Sequence, residues 1–260
     1  MAKKYAKLLH YELYGKREEK YNFLDNNSMY SIDWKELKVK APNFFFVYKD
    51  DAGQKEYEKG FKIDELFLVN TSGIKTHNDK ELVSFEAFTD FNQKYDYRPF
   101  DTRFINYDLK KVQRHRYNVM KHVLFDNISL NTCRQQSTFD FQHTFISKAL
   151  VDMCFVSLQT KETTYAFPLY LYPDSSDSLA YEKAERVPNL NMQIVEQIAE
   201  ILNLRFVPDE KLVLNKVAES DDSFTPLDIL DYIYAVLHSP TYRKKYKEFL
   251  KIDFPKVPYP

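Results

Sequence analysis

The sequence predicts an α+β fold: a mixed, β-rich core followed by a helical C-terminal subdomain. Three observations predict it. Strand-length apolar runs bounded by polar turns crowd residues 103–172. Helical spacing and cap residues govern the chain from Met192 onward. The order of elements, mixed first, then strands, then helices, segregates the two classes.

Taken in order, Tyr5–Tyr14 alternates loosely and reads as a strand. Gly15 and a charged run, Lys16–Lys20, lead into a short helix ending near Leu24 and a polar loop at Asp25–Ser28. A lone strand has no sheet of its own, so residues 5–14 are expected to be an edge or unpaired segment cut from something longer, or to borrow a partner through oligomerisation. Phe44–Tyr48 reads as a short apolar strand. Phe61–Val69 reads as a turn of helix and then a strand, closed by a turn at Thr71–Gly73. Leu82, Phe85, Phe88 and Phe91 recur at helical spacing between Glu81 and Tyr95.

Strands are expected at Arg103–Tyr107, Ile128–Thr132, Met153–Leu158 and Phe167–Tyr172, with Pro168 marking an edge or bulge in the last. From Met192 to Leu204 a helix places Ile194, Val195, Ile198, Ile201 and Leu202 on one face. Thr225 caps the next, with Pro226 at its first position and Asp228 in its first turn, and it runs to about Leu237. Ser239 and Pro240 start a third, with Tyr242, Tyr246, Phe249 and Leu250 inward and Pro255 and Pro258 beyond it. The expected divisions are 1–24, 25–173 and 174–260.

Composition narrows the chemistry. With 260 residues, 44% hydrophobic and 29% charged, the chain can bury a real core. Glycine occurs only at Gly15, Gly53, Gly60 and Gly73, so no Gly-rich phosphate or dinucleotide loop can be written. Cys133 and Cys154 have no metal-type spacing and read as buried, reduced thiols. No apolar run is long enough to span a membrane and no signal peptide opens the chain, so a cytoplasmic protein without a membrane partner is expected. Neither a zinc-protease nor a nucleophile-elbow motif occurs, and Arg114 and Arg116 flanking His115 oppose a divalent metal. No catalytic site, metal or cofactor is expected in this chain.

The net charge is −1, but it is segregated: residues 174–222 hold eleven acidic and five basic residues, while 101–172 hold nine basic and six acidic. The second stretch is mildly basic, as a solvated face or a nucleic-acid surface would be. Four polar stretches are expected to lie on one side of the fold: Lys75–Asn78, Arg114–His122, Arg134–Thr138 and Lys161–Thr164. Arg114, Arg116, Arg134, Gln135 and Gln136 have the donor and acceptor geometry for base edges. Lys75, Thr76, His115, Lys121, Lys161 and Thr163 suit phosphates, and protonation of His115 or His122 would strengthen such contacts. Polar loops are also commonly just solvated.

Several runs carry a resemblance: Gly15–Lys20, Ser72–Thr76 with Asp79, Tyr97–Ile105 with Tyr107 and Asp108, Arg114–Met120, Asn127–Gln135, Phe167–Tyr172, Pro226–Tyr246 and Asp253–Pro258. The chain resembles the C-terminal specificity region of type ISP restriction–modification enzymes, single chains that join nuclease, helicase-like translocase, adenine-methyltransferase and target-recognition parts. The resemblance implies sequence-specific binding of double-stranded DNA. It implies that residues 1–24 are the tail of a methyltransferase domain, 25–173 the recognition core and 174–260 a helical subdomain. The methyltransferase of the parent chain would be a partner and would use S-adenosylmethionine. Its N-P-P-[YF] motif and the nuclease and helicase motifs do not occur here, so no activity carries over. A structural module that docks the methyltransferase without reading bases is the alternative.

Overall fold

A computed structural model describes residues 6–40, 44–48, 52–137, 140–158, 162–173, 186–209 and 222–260. The chain falls into two compact units, Met1–Ala52 and Gly53–Pro260. In the first, β1 (Leu9–His10) pairs antiparallel with β2 (Lys35–Glu36) in a two-stranded ladder, and α1 (Arg17–Asn26) lies between them in sequence. Glu19 accepts a 2.8 Å hydrogen bond from Lys16 N, which satisfies one orphan donor at the start of α1. Tyr11 stacks on Phe23 at 5.5 Å and meets the edge of Trp34.

The second unit opens with α2 (Gln54–Tyr57), β3 (Phe61–Lys62), α3 (Ile63–Leu66), β4 (Thr71–Ser72), α4 (Asp79–Leu82) and β5 (Val83–Ser84). The long hairpin β6 (Asn92–Arg98) and β7 (Asp101–Asn106) follows, then α5 (Tyr117–Met120) and a 3-10 turn over Lys121–Leu124. Next come β8 (Ser129–Cys133), β9 (Thr144–Ser147), β10 (Leu150–Val151), β11 (Thr164–Pro168), β12 (Tyr170–Leu171) and β13 (Val187–Pro188). The chain closes with α6 (Met192–Leu202), β14 (Arg205–Phe206), β15 (Ser223–Phe224), α7 (Pro226–His238), α8 (Pro240–Lys245) and β16 (Lys256–Val257). Two four-stranded sheets organise it, in the orders β10-β6-β7-β5 and β4-β11-β8-β9. The class is α+β, as the sequence predicts.

Helix starts follow from side chains. Asn191 accepts from Gln193 N, Thr225 and Asp228 close a reciprocal capping box, and Ser239 accepts from Tyr242 N. Ile229, Leu230, Ile233 and Leu237 of α7 join Val195 and Ile198 of α6 in the same apolar cluster as Leu130, Phe167 and Tyr170 of the sheets. Tyr242 and Tyr246 are buried and pack beside Tyr57, whose hydroxyl accepts from Lys256 N at 2.9 Å. This seam fixes the C-terminal segment against α2.

Cys133 lies inside the sheet, and burial pushes its thiol up to about 12. A thiol in that state is almost wholly protonated at pH 8 and unreactive. Ellman's reagent should therefore label Cys133 only after denaturation; labelling in the native protein at the rate of a solvent thiol would contradict this packing.

Several expected elements differ. Among the described residues of 5–14 only Leu9–His10 is strand; it is not partnerless, because it pairs with Lys35–Glu36 of this chain, in a two-stranded ladder where both strands are edges. Phe44–Tyr48 is not a strand; its residues are exposed, with Phe44 at φ 47°. Strand precedes helix in Phe61–Leu66, and the strand expected before Val69 does not form. Thr71–Ser72 is strand rather than turn, because pairing with β11 overrides the turn tendency of Ser-Gly. The helix expected over 81–95 stops at Leu82. Ser84 Oγ accepts from Glu86 N and Asn92 Oδ1 from Phe88 N, local bonds that compete with helical ones. Met153–Leu158 is a turn, because Asp152 Oδ1 accepts from Cys154 N at 2.7 Å. Pro168 ends an interior strand instead of marking an edge, and Ile201 and Leu202 are exposed at the end of α6.

Candidate nucleic-acid interface

The register of one sheet decides which loops meet. Cys133, the last residue of β8, pairs with Thr164, the first of β11. β4 ends at Ser72 opposite Tyr165, and β9 begins at Thr144 opposite Thr132. The chain therefore crosses the same end of this sheet at Gly73, Arg134, His143 and Thr163. A two-way backbone bridge joins Lys75 to Arg114, with N–H···O distances of 3.2 and 3.0 Å, and brings in the start of the second stretch.

Within this end the residues divide. Arg114, Arg134 and Gln135 are exposed, and Lys75, His115, Arg116 and Thr163 are half-buried. No carboxylate among the described residues forms an ion pair with Lys75, Arg114 or Arg116. Arg116 adopts φ 56°, and His115 Nδ1 accepts from Tyr117 N at 3.1 Å, which orients the imidazole. Arg134 Nε lies 2.8 Å from Asp253 and Gln135 Nε2 bonds Ile252 O, so the C-terminal segment braces this loop. An exposed pair of this kind contributes little to stability and exchanges readily for another anion. Burial would raise the Asp253 carboxyl, but bonds from Arg134 and Phe254 N, with Lys62 nearby, hold it below the usual range.

Other expected contacts are displaced. Thr76 is buried and its hydroxyl bonds Asp79, so it shapes the loop and is closed to a phosphate. Gln136 is buried, with its N–H 3.4 Å from Lys251 O, and has no exposed edge for a base. His122 accepts from Tyr172 N and is buried at the far end of β11, with Lys121 beside it on the 3-10 turn. Lys161 and Thr138 lie outside the described residues, as do Gln159 and Thr160.

The hairpin β6–β7 holds this end in place. Arg98 Nη1 sits 2.6 Å from Asp152 Oδ1, and Tyr95 donates its hydroxyl to Asp152 Oδ2 at 2.6 Å. Asp152 bridges Ile74, the neighbour of Lys75. Tyr97 donates to Asp79 at 2.7 Å while its ring lies under Arg98. Burial pushes the Asp152 carboxyl up despite the bonds it accepts from Tyr95 and Cys154 N and the charge of Arg98. Burial and the Asp79 bond push the Tyr97 phenol up, so it stays a donor. Arg98, Tyr97 and Asp152 escaped the reading of loop chemistry; the family-like run beginning at Tyr97 was a signal for the first two, and nothing in the sequence singled out Asp152.

Exposed loops carrying cations thus meet at one braced end of the sheet. The chain belongs to the type ISP C-terminal specificity domain family, which matches residues 29–260. Among solved structures it is similar to a cryoEM structure of a DrdV–DNA complex, at TM-score 0.68 and 16% identity over 94% of this chain and 27% of that one. It is also similar to the ATP-dependent type ISP restriction–modification enzyme LlaBIII bound to DNA, at 0.60 and 14% over 87% of this chain and 17% of that one. A nuclease-deletion mutant of the type ISP enzyme LlaGI in complex with a DNA substrate mimic gives 0.61 and 18% over 93% and 25%. The chain thus spans about a quarter or less of the length of these proteins. No curated protein matches it. No described helix is long and apolar enough to cross a membrane.

Proposed function

We propose that this chain recognises a specific sequence in duplex DNA and places a target adenine before the methyltransferase of a larger type ISP enzyme. Base flipping, methyl transfer from S-adenosylmethionine, translocation and cleavage would belong to the other parts of that enzyme, and the chain itself has no catalytic role. The observation that carries this reading is the convergence of Lys75, Arg114, Arg134 and Thr163 at one end of one sheet. Lys75 and Thr163 suit phosphates, which position a protein without reading sequence. Arg114, Arg116, Arg134 and Gln135 suit base edges.

The test is binding of the 260-residue chain to a duplex it selects from a randomised pool, against a scrambled duplex, over a salt series. Lys75→Ala is expected to weaken both duplexes alike and to lower the salt slope by about one. Arg114→Ala is expected to cost about 1–3 kcal/mol on the selected duplex and far less on the scrambled one. If no duplex is selected and binding does not respond to salt, the chain is a docking module and the reading fails.

A further inference from the structure

The tip of the β6–β7 hairpin carries two unfavourable features at one residue. Arg98 pairs with Asp101, leaving Pro99 and Phe100 as the turn. Phe100 adopts φ 62°, and its side chain is 98% exposed. Pro followed by a left-handed residue is the type II pattern, in which glycine normally fills the second place. A phenylalanine there is strained, and its apolar ring gains almost nothing from the fold. Its ring stands edge-on to Phe145 at 6.1 Å and is otherwise in solvent.

The tip also lies beside the candidate interface. Phe145 contacts Phe155, and the adjoining Val156 N bonds Thr164 at the end of β11. Arg98, at the foot of the turn, binds the Asp152 that bridges Ile74. The one acidic residue in the turn, Asp101, is neutralised by a two-point bond from Arg103, with Nε and Nη2 at 2.9 and 2.7 Å from its two oxygens. Arg103 is itself held between the rings of Phe85 and Tyr97. A rigid turn thus projects an aromatic ring past neutralised charge, next to loops rich in cations.

We propose that Phe100 is an aromatic wedge that stacks on a base of the bound duplex and opens one base step. Aromatic wedges of this kind unstack a step and stabilise the opened base by stacking on it. The proposal rests on the DNA-recognition reading and adds a contact that the polar loops do not supply.

The test uses the 260-residue chain and the duplex it selects, with 2-aminopurine placed at each position in turn. The wild-type chain is expected to raise 2-aminopurine emission at one step, and Phe100→Trp to keep affinity with its added indole quenched on binding. Phe100→Gly removes the ring and the strained φ together, so the fold should survive with an unchanged or higher Tm. Its affinity should fall about tenfold, with loss of the emission change. Wild-type affinity in Phe100→Gly, or a wild-type complex with no unstacked step, would overturn the wedge while leaving DNA recognition intact. Failure of the wild-type chain to select any duplex would overturn both.

Discussion

Replacing Arg98 with Met is expected to destabilise the protein by about 3 kcal/mol at pH 7, since removal of one partner strands the other charge. The Arg98 and Asp152 side chains are 18% and 9% exposed, and the guanidinium lies 2.6 Å from the carboxylate. Without it, Asp152 keeps bonds from Tyr95 and Cys154 N but has no cation beside it. Burial already holds the Asp152 carboxyl above its ordinary value, and loss of Arg98 raises it further. A carboxyl raised in the folded state binds protons more tightly there than in the unfolded chain, so the folded state gains as the pH falls. The deficit of Arg98→Met is therefore full above the folded pKa of Asp152 and shrinks as the pH falls through it. Urea denaturation of both proteins at pH 7 and pH 4.5 checks this. An equal difference at the two pH values would show that the guanidinium acts through packing over Tyr97 and not through charge.

The same residues show what the sequence could reveal. The C-terminal helices were legible because their apolar spacing and cap residues are local: Thr225, Pro226 and Asp228 fix a start whatever lies around them. Strands β7 and β8 were legible for a similar reason, as short apolar runs between turns. The two-residue strands β4 and β10 were not, because they exist through their partners β11 and β6 rather than through their own pattern. The phenylalanines at 85, 88 and 91 share a spacing that mimics a helix, yet Phe85 packs on Arg103 and Phe91 turns the chain at φ 53°. At the site, loop chemistry pointed to Lys75, Arg114 and Arg134, but their proximity follows from strand register, which no single loop encodes. The same chemistry overreached at Thr76 and His122, whose polar groups are spent on the fold, and at Gln136, which is buried.

Glycine scarcity, which excludes phosphate loops, leads to the other large effect. A Cβ on Gly73 would stand 2.4 Å from Asp152 O, 2.5 Å from its carbonyl carbon and 2.7 Å from Met153 N. All three are backbone atoms, so no side chain can swing aside. The surrounding chain is also tied down: Gly73 N bonds Thr164 O at 2.9 Å, Ile74 N bonds Val151 O at 2.9 Å, and Met153 N bonds Ile74 O at 2.8 Å. Gly73→Ala must separate these strands and is expected to cost about 3 kcal/mol, the upper part of the range for overpacking. The damage falls beside the Lys75–Arg114 bridge, so hydrogen exchange at the Lys75 amide should accelerate beyond what the loss of global stability explains. DNA affinity should fall although residue 73 offers no side chain to DNA. Gly60→Ala is the comparison, because its Cβ would meet Val257 O at 2.5 Å in the β3–β16 seam, which makes no backbone bond to Lys75. It should lower stability while Lys75 exchange follows only the global change. Equal local protection at Lys75 in the two variants would show that the close approach of Gly73 to Asp152 does not hold the binding end of the sheet together.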